Sequence, residues 1–70
     1  MMGRGKCKLC GDGRGGLVAI KDTGEGLDSV YVMCDQCCAY TKPMYHIPGR
    51  AGTATIRAWN AWNAGEVSRA

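Results

Sequence analysis

Hydrophobic positions along this chain fall into two short runs and one helical stripe, set apart by glycine-rich breaks. Leu17-Val18-Ala19-Ile20 is aliphatic and partly β-branched, and it predicts a strand over 17–21. In Ser29-Val30-Tyr31-Val32-Met33 the period of two puts Val30 and Val32 on one face of a second strand. Asp22-Thr23-Gly24-Glu25-Gly26 carries turn chemistry between them, so the two runs are expected to pair as an antiparallel hairpin. Residues 39–45 allow a third, shorter strand, which Pro43 would confine to an edge.

The period changes after the breaker Pro48-Gly49-Arg50-Ala51-Gly52. Ile56, Trp59 and Trp62 or Asn63 recur at three- and four-residue steps, which predicts an amphipathic helix over about 53–64. Ala54, Ala58, Ala61 and Ala64 favour it by propensity, with Thr53 as N-cap and Gly65 as the C-terminal glycine. On this phase Trp59 is expected to be buried against the hairpin and Trp62 to be more exposed. Residues 1–6 read as a flexible arm and 66–70 as a frayed tail, leaving one domain over 7–65.

Composition explains why such a domain needs help. A chain of 70 residues buries only about 60% of the surface its unfolded form exposes. Phe is absent, large aliphatics are sparse, and eleven glycines add unfolded-state entropy. Scaffolds of this size need a disulfide, a metal or a partner. The start Met1-Met2-Gly3-Arg4-Gly5-Lys6 has no apolar stretch to serve as a signal peptide, and Leu17–Ile20 is far too short to span a membrane. The chain therefore reads as cytoplasmic, where thiols stay reduced, and five cysteines also leave one over in any disulfide scheme. A metal is the favoured reading.

The cysteines are spaced for it. Cys7-x-x-Cys10 is followed after 23 residues by Cys34-x-x-Cys37. Two intervening residues let a tight turn aim both sulfurs at one point. Two such turns fill the tetrahedral shell that zinc prefers in structural sites, with iron as the other metal suited to four thiolates. The expected metal ligands are Cys7, Cys10, Cys34 and Cys37, around one structural zinc. The fold class that follows is a small metal-stabilised α+β domain, a zinc ribbon with a C-terminal helix. Cys38 reads as a thiol outside the shell, in a position after the knuckle that favours left-handed backbone. His46 is redundant as a ligand once four cysteines are present.

Other patterns exclude more than they suggest. Gly11-Asp12-Gly13-Arg14-Gly15-Gly16 matches G-x-G-x-x-G in form, but it neither follows a strand nor opens a helix, and it reads as a flexible loop. A closed four-thiolate site leaves no position for substrate, and no nucleophile–base pair surrounds the single histidine, so the chain is not expected to be an enzyme. The net charge of +3 excludes a mimic of DNA phosphates. Arg4, Lys6, Lys8 and Arg14 form a basic cluster that leaves nucleic acid as a partner.

The order Cys7-x-x-Cys10-Gly11, Val32-x-Cys34-x-x-Cys37-x-Ala39, Ile56-x-Ala58-Trp59-Asn60 resembles the restriction alleviation (Lar-like) proteins of phages and prophages. The resemblance covers residues 7–60. Lys8 stands where that family usually has Pro, Cys38 where it usually has Gly, and Trp62-Asn63 repeats the Trp-Asn motif. The resemblance implies a protein that moderates host type I restriction by contact with the restriction–modification enzyme. A small nucleic-acid-binding zinc ribbon, acting in phage transcription or translation, is the alternative.

Overall fold

The computed structural model describes residues 5–21 and 24–69. The turn residues Asp22 and Thr23, and the N-terminal residues 1–4 of the expected arm, lie outside the described residues. Strand β1 (Gly15–Ile20) pairs antiparallel with β2 (Asp28–Cys34), as the hairpin reading expected, with Leu17 opposite Val32 and Ala19 opposite Val30. β2 is the spine of the sheet. Its far edge pairs with β3 (Tyr40–Thr41) near one end and with β4 (Met44–His46) near the other.

The expected third strand is thus two strands. Pro43 lies between them and has no amide to donate. At this break the Val32 amide donates to the buried Thr41 Oγ1 at 3.0 Å, so the spine strand keeps its backbone bond where ladder pairing is interrupted.

Helix α1 (Gly52–Asn63) packs on one face of the sheet. Its N-cap is Ala51 rather than Thr53, and no side chain caps it. Its end is a Schellman turn. Gly65 takes φ +79°, its amide donates to the Trp62 carbonyl at 3.1 Å, and the Glu66 amide donates to the Ala61 carbonyl at 2.9 Å.

The turn sends the chain back into the sheet. β5 (Val67–Ser68) pairs with β3, so residues 66–70, expected to fray, include a strand. At the other end, Lys6 bridges to Arg14 and the Gly5 carbonyl accepts a 2.8 Å hydrogen bond from Trp62 Nε1. The described part of the expected arm is therefore tied down.

The core combines Val30 and Val32, Trp59 and Trp62, three alanines, and the buried Cys7 and Cys34. The helix phase differs from the expected one. Ala54, Ala58, Trp59, Ala61 and Trp62 face inward, while Ile56 is 50% exposed. Trp62, expected to be the more exposed tryptophan, is 1% exposed against 5% for Trp59. Small alanines let the helix lie close to the sheet, and Gly15 makes room for the rings. A Cβ at Gly15 would sit 2.6 Å from Val32 and 2.8 Å from Trp62. The loop 11–16, read as flexible, is packed at this point.

Trp62→Ala is expected to cost about 3–5 kcal/mol, the range for deleting a buried large aromatic. It should destabilise at least as much as Trp59→Ala, because it also frees the segment held through Gly5. Thermal denaturation of the two variants side by side measures this; a Trp62→Ala protein that melts like the parent would show that the ring does not hold the core.

Candidate metal centre

Two chain segments with the same local build supply four sulfurs. In the first, the Cys7 amide donates to the Gly13 carbonyl at 2.7 Å and the Leu9 amide to Cys7 Sγ at 3.4 Å. In the second, the Cys34 amide donates to the Ala39 carbonyl at 2.7 Å and the Gln36 amide to Cys34 Sγ at 3.3 Å. Each turn ends in left-handed backbone immediately after its second cysteine, at Gly11 (φ +78°) and at Cys38 (φ +63°). The two turns are locked together by a reciprocal pair of bonds. Arg14 N–H donates to Asp35 Oδ1 at 2.9 Å, and Asp35 N–H donates to the Arg14 carbonyl at 3.1 Å.

The result brings Cys7, Cys10, Cys34 and Cys37 together, with all four Sγ atoms within 4.8 Å of one another. Cys7 and Cys37 are 3.7 Å apart, as are Cys10 and Cys34. These separations are far beyond a disulfide bond of about 2.05 Å. A tetrahedron with metal–sulfur bonds of about 2.3 Å has edges of about 3.8 Å. The four expected ligands therefore lie close enough to hold a metal ion, and the two short edges already have the length such a cage needs. Cys38 is exposed and outside the cluster. His46 is on β4, where its Nδ1 lies 2.9 Å from the Ile47 carbonyl.

The surroundings treat the thiols unequally. Burial pushes the Cys34 thiol up to about 11, against amide bonds from Cys37 and Gln36 that lower it. The Ala39 amide, opposed by burial and helped by the Arg69 guanidinium, brings Cys37 down to about 6. The Gly13 amide lowers Cys10. N–H groups aimed at sulfur stabilise thiolate, the form that binds metal, while the proton on buried Cys34 must leave when a metal enters.

Two supporting residues escaped the sequence reading. Gly13 is one: a Cβ there would fall on the Cys34 sulfur. No hydrophobic pattern marks such a glycine; only its place three residues after Cys10 hints at it. Arg69 is the other, carried to Cys37 by β5 from a segment read as tail.

Compared with protein-family models, curated proteins and solved structures, the chain matches none. Fold and site together define a small α+β domain built around a four-cysteine cluster that can bind a metal. Among the described residues no helix is long and apolar enough to cross a membrane.

Cys37→Ser is expected to abolish stoichiometric metal binding, whereas Cys38→Gly should retain it. Cys38→Gly should also raise stability by about 1 kcal/mol, because glycine adopts left-handed backbone without a Cβ penalty. Metal content and melting temperature of the two proteins check both; loss of metal from the Cys38 variant would reassign the fourth ligand.

Proposed function

We propose that the four-cysteine cluster holds one structural zinc, and that the zinc ribbon so formed moderates host type I restriction by binding the restriction–modification enzyme and favouring its methylation activity. The zinc reading is supported by four cysteine sulfurs within 4.8 Å of one another, a ligand set that as thiolates suits tetrahedral zinc. Support for the restriction reading comes from the resemblance in cysteine and Trp-Asn order. Its segments form one connected unit here: both cysteine pairs and Trp59 belong to the same core.

Trp62 is buried and unavailable to a partner. The face of the sheet opposite the helix offers a better anchor. Tyr31, Met33, Tyr40 and Pro43 line a mostly apolar hollow of about 190 Å³ there, with the Tyr31 and Tyr40 rings edge to face at 6.4 Å. Tyrosine and methionine are enriched where proteins meet, and a rigid scaffold loses little ordering entropy on binding.

Unmodified phage plated on restricting cells should show a higher plating efficiency when this protein is expressed, and no change on a restriction-deficient strain. Tyr31→Ser/Tyr40→Ser should lose the effect while the purified variant keeps its metal. Equal plating with and without the wild-type protein would rule the restriction reading out.

A further inference from the structure

A second surface lies on the helix side of the sheet. A cleft of about 290 Å³ opens between β4 and the first turns of α1. Lys42, His46, Arg50 and Arg57 line it, and no carboxylate does. Lys42, Arg50 and Arg57 are exposed, and among the described residues none of the three is in an ion pair. The acid nearest in the ladder is Asp28, opposite His46 on β2; it is 5% exposed and engaged with Lys21 at 3.8 Å. Glu66 borders two neighbouring hollows, one shared with Arg57 and one with Lys42, and makes no ion pair with either. The start of α1 adds to the positive field, since its N-cap side chain makes no bond and its first turn carries no acid.

Three cations around one concave space repel one another, and an anion relieves that cost. The shape narrows the choice of anion. Duplex DNA presents a major groove about 12 Å wide, which proteins read with a protruding helix or ribbon. Here the charges line a recess, which takes a flexible strand. Tyr45, 60% exposed, pairs with Ser29 and so stands on the other face of the sheet, leaving the basic side chains to make the contacts in the cleft. We propose that this cleft binds the phosphodiester backbone of single-stranded nucleic acid, with Lys42, Arg50 and Arg57 on phosphates. The site is separate from the basic cluster near Cys7. It is also independent of the restriction reading, whose tyrosine hollow lies on the opposite face of the sheet.

The test is fluorescence anisotropy of a labelled single strand of about 12 nucleotides, within the usual span of one binding module. The metal-loaded full chain is titrated into it at several salt concentrations, beside a duplex of the same sequence. Three phosphate contacts predict a log–log salt slope of about −2 and an affinity loss of about twentyfold between about 50 and 200 mM salt. Arg57→Gln should reduce the slope by about 0.7, one contact on a single strand. Lys42→Gln/Arg50→Gln/Arg57→Gln should abolish binding, and Lys6→Gln/Arg14→Gln should leave it unchanged. All three positions in the cleft are exposed, and unchanged metal content and melting temperature confirm that the variants fold. No binding at the lowest salt, tighter binding of the duplex, or equal weakening by the Lys6/Arg14 pair would each overturn the proposal.

Discussion

Everything else in this domain depends on two turns, 23 residues apart in sequence, delivering four sulfurs to one point. The sulfurs sit inside the core rather than beside it. Cys7 and Cys34 pack among Val32, Trp59 and Trp62, and Gly13 lacks a side chain because the Cys34 sulfur occupies its place. A structural zinc in such a site is worth about 10–16 kcal/mol of apparent binding free energy at neutral pH. Net stabilities of whole domains run at about 5–15 kcal/mol. Two valines, two tryptophans and a few alanines do not make a core that approaches this alone.

The four-cysteine cluster was legible because its signal is chemical: cysteine spacing states where sulfurs go. The hairpin was legible for the same kind of reason, since Val30 and Val32 alternate cleanly and are 3% and 0% exposed. The helix was legible in extent but not in phase. Counting large apolar residues put Ile56 inward, whereas the buried stripe is largely alanine. Small residues at a close helix–sheet contact read as propensity, and their burial has no hydrophobic signature. Trp62 depends on two features that leave no mark on a hydropathy pattern, the missing Cβ of Gly15 and the carbonyl of Gly5.

The tail was misread for a related reason. A two-residue strand carries no periodicity, and β5 exists because the Schellman turn at Gly65 aims Val67 at Thr41. That short pairing has consequences at the site, since it carries Arg69 to Cys37. The cationic cleft was hidden in the same way. Lys42, Arg50 and Arg57 stand on either side of a Pro-Gly breaker, and only the docking of α1 against β4 brings them around one space. The sheet thus presents a tyrosine hollow on one face and a basic cleft on the other.

The claim that metal ligation by four cysteines creates this fold is tested most directly by titrating zinc into the metal-free, fully reduced chain while following far-ultraviolet circular dichroism and tryptophan fluorescence. The account predicts an unfolded spectrum without metal and a folded one with zinc, with burial of Trp59 and Trp62 complete at a sharp break at one equivalent. A chain that stays folded in excess chelator, with the same melting temperature as the zinc-loaded protein, would contradict it.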